Sequence, residues 1–292
     1  MIFYFSATGN SHWAATQLSE ATNEAIISIT SALKTRCNYE VKDDEMIGFV
    51  FPVHGWRVPK IVEEFIHTLS FVQNNSKKVY PKKVFCLLTT GDSIGRTMER
   101  FLHLLHTHPT FVNAELYACE SVIMPESYVG LPFMDVDTAE KEAKKISAAK
   151  EKIAHFASII NNAKQREEET KGNKAKKNLE DVEGKHPIGW NSLIRGPIPD
   201  FFSGPVGGFF SKFLITDKHF YVNKEKCIKC GICAMQCPVN DIEGGKALMP
   251  QWVHNGKCLT CFACYHHCPT KAIAFGNRTK GKGQYYFTKR NK

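Results

Sequence analysis

Short apolar segments alternate with longer amphipathic ones along the first 165 residues of the chain. The short segments are rich in Ile, Val and Phe and almost free of polar residues, which is typical of strands buried on both faces of a sheet. The predicted strands are Ile2–Phe5, Ala25–Ile29, Met46–Phe51, Val84–Thr89 and Glu115–Met124, and the predicted helices are Ser11–Ala21, Pro59–Leu69, Ile94–His106 and Thr138–Asn161. This alternation predicts an α/β domain with a doubly wound, five-stranded parallel sheet.

The pattern changes after this domain. Residues 165–184 are polar and charged, which indicates a solvated helix end or a flexible connection. Residues 185–218 mix Pro, Gly and Phe, and include the run FFSGPVGGFFSKFLI at 201–215. That run is either a docking patch for a membrane surface or partner, or an apolar tether that packs over two domains. We favour the tether, because exposed patches this apolar are rare in soluble monomers.

The end of the chain completes a four-part division. Residues 219–276 form a compact cysteine-rich unit, and residues 277–292 form a basic tail that is either solvated or a docking arm for an acidic partner. The predicted organisation is therefore a first domain over residues 1–164, a linker over 165–218, a small α+β domain over 219–276 and the tail.

The composition is that of a globular protein. The chain has 292 residues, of which 43% are hydrophobic and 23% are charged. No apolar run reaches the roughly 18 residues that a membrane-spanning helix needs. The first residues, MIFYF, lead directly into a strand and lack the charged and apolar regions of a signal peptide. These features predict a cytoplasmic protein without a membrane span.

Charge is unevenly distributed between the two halves. Residues 1–140 hold 11 Lys/Arg and 16 Asp/Glu, a net charge of −5, whereas residues 141–292 hold 27 and 13, a net charge of +14. A basic half can attract nucleic acid, an acidic protein or an acidic sister domain. No nucleic-acid recognition motif accompanies the charge, so we expect no nucleic-acid binding. We instead expect the basic half to contact the acidic half or an acidic partner.

Eight of the 11 cysteines form an internal repeat. Each copy has the spacing Cys-x₂-Cys-x₂-Cys-x₃-Cys-Pro, in which three cysteines wrap one [4Fe–4S] cluster and the fourth ligates the other cluster. The alternatives are a zinc site or a disulfide framework. Zinc sites normally use two CxxC pairs and do not call for a third cysteine two residues on, and a reducing cytosol disfavours disulfides. The predicted ligands are Cys227, Cys230, Cys233 and Cys268 for the first cluster, and Cys258, Cys261, Cys264 and Cys237 for the second. The remaining Cys37, Cys86 and Cys119 are interpreted as small core residues.

The cysteine-rich unit resembles bacterial-type ferredoxins with two [4Fe–4S] clusters, and every ligand position matches. It departs from many free ferredoxins in the basic residues around its cysteines. Positive charge near a cluster raises the reduction potential, so we expect a potential that is not extremely low. The basic residues are Lys224, Lys226, Lys229, Lys257 and Lys271.

A loop of small polar residues follows the first strand and precedes a helix. Its sequence, FSATGNS, provides hydroxyl groups, an amide and a glycine where backbone N–H groups and the helix dipole favour a phosphate. The loop lacks the GK[ST] ending of a Walker loop, and the chain contains no GxGxxG. A capped helix start would explain the loop without a ligand. The candidate binding residues are Ser6, Ala7, Thr8, Gly9, Asn10 and Ser11.

This loop resembles the flavodoxin signature that holds the FMN phosphate, and two more loops at strand ends strengthen the resemblance. The loop FPVHGWRVPK follows the third strand, and TTGDSIG follows the fourth. The resemblance implies that Trp56 stacks on the isoalloxazine ring, although a partly buried indole at a loop would look the same in sequence. It implies FMN contacts from Pro52, Val53, His54, Gly55 and Trp56, and from Thr90, Gly91, Asp92, Ser93 and Gly95.

Together, the two halves resemble the flavodoxin–ferredoxin fusion proteins found mainly in anaerobic bacteria and archaea. The resemblance implies FMN, two [4Fe–4S] clusters and electron transfer between them, with onward transfer to a protein donor or acceptor. No acid/base pair suited to a substrate stands out, so no catalytic residue is assigned and an electron carrier is favoured. The alternative is an FMN-dependent reductase of a small molecule, such as a quinone or a tetrapyrrole, with the clusters as the electron inlet.

Overall fold

The architecture is that of a computed structural model, which describes residues 1–35, 38–42, 45–73, 77–78, 80–172, 186–245 and 247–289. Cys37, most of the polar 165–184 segment and the last three residues lie outside this description. The strands are β1 Ile2–Tyr4, β2 Ile26–Ser28, β3 Tyr39–Glu40, β4 Ile47–Pro52, β5 Phe71–Gln73, β6 Lys77–Lys78, β7 Lys83–Thr90, β8 Glu115–Ile123, β9 Phe220–Val222, β10 Ile242–Gly245, β11 Leu248–Trp252 and β12 Ile273–Phe275. The helices are α1 Asn10–Thr22, α2 Ile29–Thr35, α3 Lys60–Thr68, α4 Thr97–Thr107, α5 Ala139–Gly172, α6 Pro199–Phe201, α7 Gly207–Phe209, α8 Ile232–Met235 and α9 Ala263–His266.

The N-terminal half is built on a five-stranded sheet in the order β2-β1-β4-β7-β8. All four strand pairs are parallel, and Phe3 in β1 lies opposite Ile27 in β2 and Phe49 in β4. Counted along the sheet, this is the 2-1-3-4-5 order of the flavodoxin-like fold, in which ligands bind beyond the carboxyl ends of the strands. The predicted fold class and its five strands are confirmed.

Helices cover both faces of the sheet. On one face, α1 and α5 pack against apolar side chains such as Val50 and Leu87. On the other face, α2, α3 and α4 enclose an aromatic core, in which Phe49 lies 5.3 Å from Phe101 between ring centroids. Continuous apolar strands thus bury both of their faces, as their sequence predicted.

Four features of this half were not predicted. Helix α2, Ile29–Thr35, directly follows β2, where no helix was predicted. The short strands β3, β5 and β6 form a separate small sheet, and two or three residues are too few to leave a pattern in the sequence. Helix α5 continues beyond its predicted end at residue 161 as far as Gly172. Residues 186–195, inside the predicted linker, return to the sheet, where the N–H of Cys119 donates to the carbonyl of Ile188 at 2.8 Å.

The apolar run of the linker is helical. It begins with α6, passes through the π-helical segment Phe202–Val206 and α7, and ends with the π-helical segment Phe210–Leu214. It packs against the N-terminal half, while the side chains of Phe201, Phe209 and Phe213 remain more than half exposed. The segment thus covers part of the molecule and leaves some aromatic rings in solvent.

The cysteine-rich unit preserves its internal repeat in the backbone. Strands β9 and β12 pair antiparallel, β10 and β11 form a hairpin, and α8 and α9 occupy equivalent places in the two copies. Residues at matching offsets adopt the same left-handed conformation, which turns the chain around each cysteine group. The matched pairs are Lys229 and Thr260, Gly231 and Phe262, and Asn240 and Lys271.

The prediction of a solvated tail is wrong for the described part beyond Lys282. Tyr285 is only 2% exposed, and the ring of Phe287 stacks on Trp13 with 5.2 Å between centroids. Two aromatic side chains that bury apolar surface hold this segment against the first helix, although the flanking lysines make it look like a solvated tail in sequence. Within the described residues, no helix combines the length and the apolar character needed to cross a membrane.

Candidate functional site

A large cavity opens at the carboxyl ends of β1, β4 and β7. Its volume is about 540 Å³, which lies in the range of sites for drug-sized ligands and cofactors. All three predicted loops line it, and of the predicted binding residues only Gly9 and Gly95 do not. The structure therefore brings together, around one space, residues that the sequence places over 80 positions apart.

The first loop is shaped by Gly9. This residue precedes α1 with φ 98° and ψ −19°, a conformation that strongly favours glycine. Its N–H donates to the hydroxyl of Ser6 at 3.1 Å, and its carbonyl accepts from the N–H of Trp13 at 2.9 Å. The loop therefore closes tightly and presents the first turn of α1 to the cavity.

The side chains of Asn10 and Ser11 are largely committed within the protein. The Asn10 amide donates to the carbonyl of Pro125 at 2.9 Å, and its oxygen accepts from the hydroxyl of Tyr285 at 2.6 Å. The Ser11 hydroxyl shares a hydrogen bond of 2.8 Å with that of Thr89. These side chains brace the loop, so an anion in it would bind chiefly through backbone N–H groups.

The second loop turns sharply to present Trp56. His54 and Arg57 exchange backbone hydrogen bonds of 3.1 and 3.2 Å, and Gly55 and Trp56 between them have φ near 56° and 57°. Positive φ at both central residues is the geometry of a two-residue type I′ turn, and it is costly for a bulky residue such as tryptophan. The indole N–H donates to the hydroxyl of Ser93 at 3.1 Å, which fixes the ring at the cavity wall.

His54 is a neutral residue of this wall. Burial lowers the pKa of its imidazole to about 4, because the charged form would lose its hydration. Its ring contacts Phe5 edge-on with 6.0 Å between centroids. At neutral pH the side chain can therefore donate or accept a hydrogen bond in the cavity without carrying charge.

The third loop is joined to the first through the bond between Thr89 and Ser11, and to the second through the bond between Ser93 and Trp56. The hydroxyl of Thr90 donates to the carbonyl of Ser93 at 2.9 Å, while the carbonyl of Thr90 accepts from the N–H of Met124. Gly95 has φ 53°, and a Cβ there would lie 2.3 Å from the hydroxyl oxygen of Ser203. Gly95 thus allows the apolar helix to pack closely against the third loop, which explains why Gly95 is not part of the cavity lining.

The segment after β8 supplies residues that were not assigned from sequence. Glu126 lines the cavity, and its carboxylate accepts from the N–H groups of Ser127 and Tyr128 at 2.9 and 2.7 Å. Burial raises the pKa of Glu126 despite these hydrogen bonds. Tyr128 also lines the cavity, and its hydroxyl is buried without a partner among the described residues. A single tyrosine carries no motif that would mark it as a site residue in the sequence.

The apolar helix forms the remaining wall, together with a short loop after β8. None of these residues was predicted to line a site, because the FF-rich run has no motif and was interpreted as a tether. The unpredicted apolar lining is Leu131, Phe133, Met134, Phe202, Val206, Phe209, Phe210 and Leu214.

Ser203 attaches this helix to the cavity loops. Its buried hydroxyl accepts from the N–H of Arg96 at 2.7 Å and donates to the carbonyl of Trp56 at 3.1 Å. Ser203→Ala leaves both backbone groups unpaired, and we expect it to lower the free energy of unfolding by about 1–3 kcal/mol. Chemical denaturation checks this value. Ser192→Ala, at an exposed serine with one local hydrogen bond, is the control and should change stability by less than half as much.

The cysteines separate into two groups of four. One small cavity is lined by one complete predicted set and a second small cavity by the other. Four backbone N–H groups donate to cysteine sulfurs in a symmetric pattern, and such bonds stabilise thiolates and tune cluster potentials. The pairs are Lys229 to Cys227 and Thr260 to Cys258 at 3.4 Å, and Asp241 to Cys237 and Ala272 to Cys268 at 3.2 Å.

The thiols suit a cluster better than a single ion. Among the described residues, no three His, Cys, Asp or Glu side chains surround a position for one metal ion. A [4Fe–4S] cluster is larger, and each thiolate binds a different iron, so its cysteines do not converge on one point. Burial raises the pKa values of Cys258 and Cys261 to about 12, because a buried thiolate would lose its hydration.

The two cysteine groups differ in their position relative to the large cavity. Cys261, from the second group, lines both its own small cavity and the large one, next to Leu259 and Thr260. Cys230, from the first group, is exposed at the surface. The second group is thus the inner one and the first group is the outer one, a polarity that the repeat itself does not reveal.

Comparisons with known proteins identify the C-terminal unit. A family model described as a 4Fe-4S dicluster domain matches residues 219–269, which include all eight repeated cysteines. No curated protein matches the chain significantly.

Among solved structures, the chain is similar to the Trp repressor binding protein from Bacillus subtilis, at 11% identity and a TM-score of 0.32 over 51% of this chain and 96% of that one. It is also similar to the azoreductase from Bacillus anthracis str. Sterne, at 13% identity and a TM-score of 0.31 over 55% of this chain and 98% of that one. The C-terminal unit is thus an iron–sulfur dicluster domain, and the order of the chain's own sheet makes its N-terminal half flavodoxin-like.

Proposed function

We propose that this protein transfers electrons between two [4Fe–4S] clusters and an FMN, and exchanges them with a protein partner. The clusters are assigned to the two cysteine groups, and the FMN is assigned to the large cavity, with its phosphate at the first loop and its ring beside Trp56. When bound, FMN supplies the ability to accept or donate electrons one or two at a time, which suits an adapter between one-electron clusters and other redox partners.

One observation carries this proposal. Cys261, a predicted ligand of the inner cluster, lines the same cavity as the three loops of the flavodoxin-like half. A cluster held by this thiolate would be adjacent to any molecule in that cavity. No other arrangement of the two units is needed to bring the cofactors together.

The residues of the chain fit an FMN at this place. The first turn of α1 offers backbone N–H groups to a phosphate, and the cavity walls are mainly apolar, as a flat aromatic ring requires. Neutral His54 and the hydroxyl of Tyr128 can hydrogen-bond a ring edge. Phe202 and Phe210 contribute apolar surface to the cavity from the helix side.

Spectroscopy and cofactor analysis of anaerobically prepared protein test the proposal. We expect FMN, and iron and sulfide at about eight atoms each per chain, since a [4Fe–4S] cluster holds four of each. After a photoreductant reduces the clusters, the flavin absorbance should bleach as the cluster absorbance recovers. Protein that binds no FMN after reconstitution, or in which the two signals change independently, would rule the proposal out.

The outer cysteine group marks the contact point for the protein partner. Ile228 and Lys229 line its small cavity, and Ile228 is 63% exposed. Lys224 and Lys226 are exposed on the same loop. Surface lysines around an exposed apolar residue favour a partner with an acidic surface, because charge complementarity accelerates encounter.

Charge reversal at this surface tests the contact. We expect Lys226→Glu/Lys229→Glu to slow reduction by an acidic ferredoxin about tenfold at low salt, and less at high salt, because attraction becomes repulsion and is screened by ions. Stopped-flow absorbance measures the rate. Lys144→Glu/Lys150→Glu, on exposed positions of α5, changes the net charge equally and should leave the rate unchanged. Equal effects of both pairs would contradict a local contact.

A second candidate function is reduction of a small apolar molecule at the flavin. The apolar wall favours it, since Phe133 lines the cavity and is 84% exposed, and Phe209 lines it and is also exposed. These rings border an opening that a flat acceptor such as a quinone could enter. Steady-state turnover of a panel of quinones by the reduced protein distinguishes this activity from that of a carrier.

A further inference from the structure

The C-terminal strap, residues 282–289, connects the cysteine-rich unit to the loop before α1. The chain leaves β12 through a turn at Gly276–Thr279 and then crosses to the flavodoxin-like half. Lys282 reaches the carbonyl of Val129 with its amino group at 2.9 Å, and the N–H of Gly283 donates to the carboxylate of Asp135 at 2.9 Å. The strap thus begins at the boundary between the two units.

On one side the strap is bound to the segment between Cys264 and Cys268. The amide of Gln284 donates to the carbonyls of Tyr265 at 2.6 Å and Cys268 at 2.9 Å. The hydroxyl of Tyr265 lies 3.0 Å from the carbonyls of Lys282 and Gly283. Because Cys264 and Cys268 belong to different cysteine groups, the strap contacts the segment that joins the two.

On the other side the strap is bound to the loop proposed to hold phosphate. The N–H of Phe287 donates to the carbonyl of Thr8 at 2.7 Å, and its ring stacks on Trp13. A Cβ on Gly9 would lie 2.7 Å from the Cβ of Phe287, so the two backbones are in close contact. The strap thus packs directly on the residue that shapes the loop.

A series of hydrogen bonds passes through the strap, and the backbone from Pro125 to Ser127 closes it into a ring. The Asn10 amide donates to the carbonyl of Pro125 and its oxygen accepts from the hydroxyl of Tyr285. The N–H of Tyr285 donates to Nδ1 of His266 at 3.0 Å, and Nε2 of His266 lies 2.7 Å from the carbonyl of Ser127. Since a backbone N–H must donate and a carbonyl must accept, His266 is the neutral tautomer with its proton on Nε2.

Through the strap, this ring joins three elements that are far apart in the sequence: the start of α1, the segment after β8 and the helix α9 of the cysteine-rich unit. Its members are buried, and Asn10 and Tyr285 are 275 positions apart in the chain. Buried hydrogen-bond networks with every member satisfied hold their elements in one arrangement.

We propose that the C-terminal strap is a positioning element that completes the phosphate loop and holds the inner cysteine group at the cavity, so that electron transfer needs no domain movement. The inference rests on the proposed function. It goes further in that Tyr285 and Phe287 line neither the proposed FMN site nor the two cysteine groups. These residues set the affinity for FMN and the rate of electron transfer through the loop before α1 and through α9.

Truncation tests this role in the full protein. A chain ending at Gly283 should bind FMN at least about tenfold more weakly, because two hydrogen bonds and an aromatic stack are lost at the loop. Flash photoreduction should show slower flavin reduction by the clusters, with a rate that falls as solvent viscosity rises. A chain ending at Lys289 is the control and should behave as the intact chain, with a viscosity-independent rate.

Tyr285→Phe keeps the ring, removes only the hydroxyl and guards against misfolding of the truncated chain. It should weaken FMN binding about three- to tenfold, the effect of one hydrogen bond, with unchanged iron content. Unchanged affinity and rate in both variants, beside an active intact chain, would overturn the strap proposal alone. An intact chain that holds no FMN or transfers no electrons would instead contradict the proposed function.

Discussion

Replacing Cys261 with serine is expected to abolish electron transfer from the clusters to the flavin. Cys261 belongs to the inner cysteine group and lines the cavity shared with the three loops. Serine is a poor ligand for iron, so the iron content should fall from about eight to about four atoms per chain. The outer cluster would then be separated from the flavin by the space that the inner cluster normally occupies. Iron analysis and flash photoreduction measure both effects.

Cys230→Ser provides the matched comparison. It removes an exposed ligand of the outer group and should cost the same amount of iron. The inner cluster remains beside the cavity, so a small reductant that reaches it should still drive flavin reduction, whereas reduction by a ferredoxin should be slow. FMN should still bind to both variants, which would show that the flavodoxin-like half is folded. Equal rates in the two variants would refute the inner and outer assignment.

Gly9→Ala is expected to have the second largest effect. The position has φ 98°, where a residue with a Cβ costs about 1–2 kcal/mol. The new Cβ would also lie 2.7 Å from the Cβ of Phe287, so the loop or the strap must move. We expect FMN affinity to fall at least about tenfold and the free energy of unfolding to fall by at least about 1 kcal/mol. Fluorescence titration with FMN and denaturant unfolding measure the two quantities.

Gly204→Ala is the control for this substitution. Gly204 lies in the helical wall, and a Cβ there would have no atom within 4 Å. Its backbone is helical, so alanine should leave stability unchanged or slightly raised. If Gly9→Ala bound FMN as tightly as Gly204→Ala, the first loop would not be the phosphate site.

Much of the fold follows from local pattern. The five strands of the main sheet are mainly apolar, and this composition can be recognised in the sequence without knowing which strands pair. The strands of the small second sheet have two or three residues, so only their pairing defines them. The last turns of α5, beyond residue 161, are charged, and their composition also fits a loop.

The candidate site was predictable in part. The three loops could be identified because each follows a strand, and parallel strands place their carboxyl ends at one edge. The helical wall could not, because the FF-rich run 201–215 meets the cavity only through contacts with residues far away in sequence, such as that of Ser203 with Trp56. Glu126 and Tyr128 have no motif, and only their position after β8 brings them to the cavity.

The cysteine spacing alone predicted two cluster sites, because ligands separated by two or three residues are placed by local backbone geometry. The alternation of short apolar segments with longer amphipathic ones alone determined the α/β class, because strands buried on both faces require continuous apolar segments. The tertiary structure decided which cysteine group lines the large cavity, and that the basic end of the chain packs as a strap. Both depend on contacts such as that of Tyr285 with Asn10, which join distant segments and leave no local pattern in the sequence.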